Sequence, residues 1–189
     1  MARLIYSMSV SLDGFIETPS HDLDWAIIDE ELHRYFNDEA REHGAFLYGR
    51  RLYELMAGSW PTADQDVSIP GFMAEFARIW RDKPKIVFSR TLDSVAWNSR
   101  LVRGDAGEEI ARLRAQPGAD LDIGGASLAS AAIRRGLVDE YRLIVHPVIL
   151  GAGTRYLPPL DAWIGVRLVE TRTFGSGVVM LRYRSASGS

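Results

Sequence analysis

Cysteine is absent from the 189 residues, which removes a disulfide framework, a thiolate metal site and a cysteine nucleophile together. Redox chemistry in this chain would need a borrowed cofactor. No stretch approaches the roughly 18 apolar residues that a membrane span requires. The opening segment from Met1 to Ser7 is apolar only briefly before serines and Asp13 interrupt it, so it does not read as a secretion signal, and the cytoplasm is the expected compartment. Charge of one sign is also scarce: 22 Lys and Arg against 25 Asp and Glu leave a formal net charge of −3. Such a balance offers no basic footprint for nucleic acid or anionic lipid, and any anion site must be local. Histidine is sparse too. His21, His33, His43 and His146 lack the spacing of metal ligands, so no metal site is expected. No Gly-x-Ser-x-Gly turn is present to expose a serine nucleophile.

What is present belongs to an ordinary folded domain. Hydrophobic residues make up 47% and aromatics 10% of the chain, enough to build a core and too much for disorder. The length suits one domain over 1–189. Apolar and β-branched runs predict strands at Leu4 to Val10, Ala45 to Tyr48, Lys85 to Ser89, Leu121 to Ile123, Glu140 to Leu150, Arg167 to Thr173 and Val178 to Arg184. A further strand or irregular edge is expected within Val95 to Val102. Helical spacing predicts helices from Asp29 to about Gly44, Leu52 to Ala57, Gly71 to Arg81, Glu108 to Leu113 and Ser127 to Arg135, while Phe15 to Asp24 reads as a loop. Strands and helices alternate until strands alone finish the chain. The expected fold is α/β: a mixed, mostly parallel sheet with an antiparallel C-terminal edge and helices on both faces.

Three strand-to-helix junctions carry chemical interest: Tyr48-Gly49-Arg50-Arg51, Phe88-Ser89-Arg90-Thr91 and Ile123-Gly124-Gly125-Ala126-Ser127. In an open parallel sheet these share the edge where ligands bind. Glycine admits close backbone approach, helix N-termini present unpaired N–H groups, and arginine forks match phosphate oxygens. Together they describe a cradle for nucleotide phosphates. Gly151 to Tyr156 imitates part of a dinucleotide fingerprint, but the third glycine is missing and Pro158-Pro159 forbids the helix that should follow. A turn at Gly153-Thr154 with close backbone approach to a ligand, or a bare turn, fits better. Candidate general acids are Asp13, Asp24, Asp29, Glu30 and Glu31 around the first loop and helix. Each also has a bland role as a turn former or a helix-start acid. Trp25 and Trp60 suit stacking on a flat ring, or covering core. His146, within a predicted strand, reads as a structural histidine.

The ordered set of segments resembles the dihydrofolate reductase-like superfamily, and especially the branch containing the reductase domain of bacterial riboflavin biosynthesis. The segments are Ser9 to Ile16, Gly49 to Glu54, Ser89 to Leu92, Ile123 to Leu128, Leu137 to Tyr141 and Pro147 to Gly153. The resemblance implies NADPH as cofactor. Gly49, Arg50, Arg51, Ser89 and Arg90 would hold its adenosine end and 2′-phosphate, and Gly124, Gly125, Ala126 and Ser127 its pyrophosphate. Val10 and the rest of the first strand end would lie beside the nicotinamide. Asp13, Trp25, Gly153 and Thr154 would border a small heterocyclic substrate, pteridine- or pyrimidine-like, with Asp24, Asp29 or Glu30 supplying a proton. It also implies a homodimer. A non-catalytic module that binds a nucleotide or pteridine in the same cradle is the alternative.

Overall fold

The computed structural model describes residues 1–186. Ten strands and five helices follow in chain order: β1 (Leu4–Ser11), β2 (Phe15–Glu17), α1 (Glu30–Glu42), β3 (Ala45–Gly49), α2 (Arg50–Ser59), α3 (Gly71–Asp82), β4 (Lys85–Phe88), β5 (Ser99–Val102), α4 (Ala106–Ala115), β6 (Leu121–Gly124), α5 (Ala126–Arg134), β7 (Glu140–His146), β8 (Thr154–Arg155), β9 (Val166–Thr173) and β10 (Val179–Ser185). Eight strands form one sheet in the order β5-β4-β3-β6-β1-β7-β10-β9, and β2 pairs with β8 separately. Pairing is parallel from β5 to β7 and antiparallel through β10 and β9, the mixed sheet that the sequence pattern implies.

The two faces of the sheet take different helices because strand side chains alternate. Leu4, Tyr6, Leu47, Leu121 and Ile123 pack with Ile110 of α4 and Leu128, Ala129 and Ile133 of α5. On the other face Phe46, Tyr48 and Val87 pack with Ala40 of α1, Tyr53 of α2 and Trp80 of α3. Local chemistry sets the helix ends. The Asp29 carboxylate caps α1 by accepting from the Leu32 N–H at 2.8 Å, with Glu30 and Glu31 in the first turn. Asp105 caps α4 in the same way through Glu108.

Several boundaries differ from the sequence reading. Helices α2 and α4 begin two residues earlier than the periodicity indicates, directly at Arg50 and Ala106. Strand β7 stops at His146, since Pro147 has no N–H to continue the ladder. The expected loop after β1 contains β2, held against β8 across 137 positions. The positive-φ residues Trp97 and Asn98 restrict the Val95 to Val102 segment to the short edge strand β5. Tyr6 and Tyr156 lock the β8 end to β1: their rings stack 4.2 Å apart and each hydroxyl donates to the other's backbone carbonyl, at 3.0 and 2.9 Å.

Buried charge gathers at one end of β7. Glu140, with no exposed area, accepts from Arg142 at 2.7 Å and Arg182 at 2.8 Å, and Arg3 and Arg184 approach at 3.4 Å. Arg142 also pairs with Glu39 of α1. No helix among the described residues is long and apolar enough to cross a membrane.

Candidate active site

The C-terminal ends of β3, β4, β5 and β6 lie side by side because their pairings are parallel. That arrangement brings all three glycine and arginine junctions to one edge. A cavity of about 540 Å³ opens there, lined by Arg50, Ser89, Arg90, Arg103, Ser127 and Arg134 among others. Ser127 lies in the first turn of α5, whose leading N–H groups have no intrahelical partners. Gly125 precedes it with φ +88°, in the region where glycine is at ease and L side chains are strained. Arg90 and Arg134 have no ion-pair partner among the described residues, and the closest approach of Arg50 to an acid is 4.0 Å, to Glu54. Arg103 spends its donors on the carbonyls of Arg90, Leu92 and Asp93. The one carboxylate bordering this cavity, Asp105, is paired with Arg135 at 2.8 Å. An anion of high charge density fits the balance of charge.

A second cavity of about 580 Å³ shares Gly49, Arg50, Ser127 and Leu128 with the first and continues past Gly125 and Ala126 to Met8, Ile16 and Thr154. Glu17 lines it. Burial pushes the Glu17 carboxyl up, but bonds from Thr154, Arg51 and His21 outweigh this, so it sits below its ordinary value. Arg51 is therefore committed to Glu17, joining α2 to β2. Ser89 is similarly occupied, its hydroxyl accepting the N–H groups of Thr91 and Leu92 at 3.2 and 3.1 Å.

The third cavity, about 380 Å³, shares Met8, Ile16, Leu23 and Leu52 with the second. It lies between the sheet and α1, walled by Trp25, Phe36, Phe46, Tyr48, Trp60 and Phe76. His146 holds the segment that covers it: Nδ1 accepts the Ile27 N–H at 3.1 Å, and the ring meets Trp25 edge-on at 5.4 Å. Burial pushes His146 down, which keeps the imidazole neutral and able to accept.

Asp122 and His43 are functional candidates that sequence reasoning missed, and both line this third cavity. The Asp122 Oδ1 is fully enclosed with no hydrogen-bond partner, as are both ring nitrogens of His43. Burial alone pushes the Asp122 carboxyl up to about 7 and, as the largest cause, His43 down to about 4. One signal was available: an acid standing between Leu121 and Ile123 in a strand is anomalous unless something meets it.

The residues expected around the substrate and the nicotinamide are only partly brought together. Trp25 and Thr154 line cavities, whereas Asp13, Val10 and Gly153 do not. The Asp13 carboxylate accepts from the Ser11 hydroxyl and the N–H groups of Leu150 and Gly151. Those bonds, the Ser11 one foremost, hold it down to about 2 and tie the 147–153 loop to the end of β1. Val10 is packed in the core. The close approach at Gly153 is to β2, since an added Cβ would stand 1.9 Å from the Glu17 carbonyl oxygen. None of the three expected proton donors reaches a cavity. Asp29 is the α1 cap, held down chiefly by the Leu32 N–H. Glu30 binds Arg34 at 2.7 Å on the outer face of the helix, and Asp24 sits exposed in the loop.

The family described as the RibD C-terminal domain matches residues 2–180. The chain is 37% identical over 182 residues to an uncharacterized Bacillus subtilis protein, YyaP, covering 96% of this chain and 94% of that one. Among solved structures, a riboflavin biosynthesis protein assigned in Shewanella superposes with a TM-score of 0.75 at 21% identity, covering 98% of this chain and 99% of that one. The dihydrofolate reductase of Enterococcus faecalis, solved with NADP(H), superposes at 0.68 and 16% identity, covering 98% and 97%. At these identities the solved structures bear on the fold, which is dihydrofolate reductase-like.

Proposed function

The chain belongs to the RibD C-terminal domain family, and on that premise we propose that it is an NADPH-dependent reductase of a small, flat heterocycle. The observation that carries this reading is one cleft with two chemistries. Its arginine-rich end runs past the α5 N-terminus and into an aromatic chamber without a break in the lining. Arg50 and Arg90 would hold the 2′-phosphate, as forked cations matched to phosphate oxygens. The first-turn N–H groups at Ala126 and Ser127 would hold the pyrophosphate, with Gly125 leaving the backbone open to it. Met8 and Ile16 would bound the nicotinamide where the second and third cavities meet. The bound cofactor supplies hydride. The chain's residues orient the ring, exclude water behind Trp25 and Ile27, and fix which face is reduced.

With 6-methyl-7,8-dihydropterin as probe, the protein is expected to consume the reduced-nicotinamide absorbance band in proportion to enzyme. The amide variants Asp24→Asn, Asp29→Asn and Glu30→Gln are expected to keep turnover within about tenfold of the parent, less than a positioned general acid contributes. Tight NADPH binding with no consumption across pterin and pyrimidinone probes would point instead to a non-catalytic module.

The proposed assembly is a homodimer. Every residue of β9 is exposed, Val166, Leu168 and Val169 among them, and its outer edge is unpaired among the described residues. An apolar edge of this kind invites a covering partner. Light scattering at micromolar concentrations is expected to give twice the 21.1 kDa chain mass; the chain mass itself would count against the dimer.

A further inference from the structure

Of the eight buried side-chain polar atoms without a partner among the described residues, three belong to two residues of one chamber, Asp122 and His43. Buried donors and acceptors are nearly always paired, so an orphan lining a cavity marks where a ligand group belongs. Asp122 Oδ1, His43 Nδ1 and His43 Nε2 have no partner, and the Asp122 and His43 residues line the same chamber. Register fixes the placement. Asp122 lies beside Ile5 of β1 and Phe46 of β3, two positions before Gly124 on the same face. At about 3.3 Å per residue it stands roughly 7 Å deeper than the start of the pyrophosphate cradle. It belongs to the floor of the chamber, below a ring held at the cofactor end.

We propose that Asp122 is the polar anchor of the substrate, and that the group it receives is a ring lactam, the adjacent C=O and N–H of an uncharged heterocycle. The inference rests on the reductase reading for the identity of the chamber and adds the chemical class it takes. A carboxylic acid presents one O–H donor and one acceptor in a plane, the complement of a lactam's acceptor and donor. Ionised, it presents acceptors only and meets the lactam oxygen with like charge. Burial favours the acid form here, with a carboxyl at about 7. His43, neutral down to about 4, adds no charge to the chamber. The other ionisable groups bordering the chamber are His33 and Glu39 on α1 and Tyr48 on β3. Glu39 is paired with Arg142, and burial pushes His33 down and Tyr48 up. Asp122 is therefore the group whose ionisation changes the chamber near neutral pH.

The test is calorimetric titration of the NADP⁺-saturated protein, which has no hydride to give the probe, with 6-methyl-7,8-dihydropterin between pH 5.5 and 8.5, roughly bracketing the Asp122 value. Parent affinity is expected to be flat below about 7 and then to fall, approaching tenfold per pH unit, as linkage requires when the acid form alone binds. Asp122→Asn keeps one donor and one acceptor and is expected to bind with a flat profile. Asp122→Leu, of similar bulk, is expected to lose tenfold or more, roughly one hydrogen bond to a buried partner. NADPH quenching of tryptophan fluorescence checks that both variants are folded. Equal affinity in Asp122→Leu, a flat parent profile, or no probe binding overturns the anchor. Binding through Asp122 without NADPH consumption would remove the reductase and keep the anchor; turnover untouched by Asp122→Leu would do the reverse.

Discussion

Glu140→Ala is expected to cost the fold about 3 kcal/mol, the lower end of what breaking a buried ion pair costs. The position collects Arg142, Arg182, Arg3 and Arg184 around a single carboxylate with no exposed area. Removing it leaves four guanidinium groups without the acid they share. Three keep a second acid: Arg142 has Glu39, Arg182 has Glu170 and Arg3 has Asp120. Those partners limit the loss and place it at the lower end of the range. Arg142 bears most of it, because its side chain is only 5% exposed and burial already lowers its guanidinium to about 10. In a chain of this size the effect corresponds to a melting temperature lower by about 6–12 °C. Urea unfolding of the parent and variant measures it directly, and a loss under 1 kcal/mol would mean that the cluster contributes little.

Gly153→Ala is expected to cost about 3 kcal/mol or more and to weaken NADPH binding as well. The residue has φ +145°, and an added Cβ would stand 1.9 Å from the Glu17 carbonyl oxygen. Backbone strain contributes about 1–3 kcal/mol and forced separation of packed atoms about 1–3 more. The atom met is a backbone oxygen, so no side chain can rotate away. Moving β8 off β2 carries Thr154 from Glu17, a bond of 2.5 Å that helps to line the second cavity. Gly151→Ala is the control. Its φ is +76°, yet nothing lies within 4 Å of the added atom, so only the left-handed backbone penalty of about 1–2 kcal/mol remains. Equal losses at both positions, by thermal unfolding, would exclude the close-approach explanation.

Much of the cofactor edge was legible because its signals are local. Gly49-Arg50, Ser89-Arg90 and Gly124-Gly125 each sit at the end of an apolar run, and parallel pairing brings such ends together whatever the strand order. Arg103 and Arg134 were not legible: their places beside Arg90 depend on β5 joining β4 and on α5 facing that edge. The β2 and β8 pairing escaped for a related reason, since strands of three and two residues carry almost no alternation and their partners are 137 positions apart. The acids nearest the first loop in sequence are the misleading ones. Asp29 and Glu30 were there because helix starts attract acids, while the carboxyl group in the chamber stands on β6, brought beside β1 by the Ile5 register. Alternation shows that Asp122 and Ile123 face opposite ways; which face holds the chamber is decided by where α1 packs.

The arginine end of the cleft is expected to receive the 2′-phosphate of NADPH, and parallel titrations with NADPH and NADH, followed by tryptophan quenching, test that most directly. Desolvated charge-assisted bonds contribute roughly 1.5–3 kcal/mol each, so the parent is expected to prefer NADPH by about tenfold or more, with the preference shrinking as salt is added. Arg90→Ala and Arg50→Ala should each weaken NADPH while leaving NADH nearly unchanged. No preference in the parent, or equal losses for both cofactors in the variants, would contradict it.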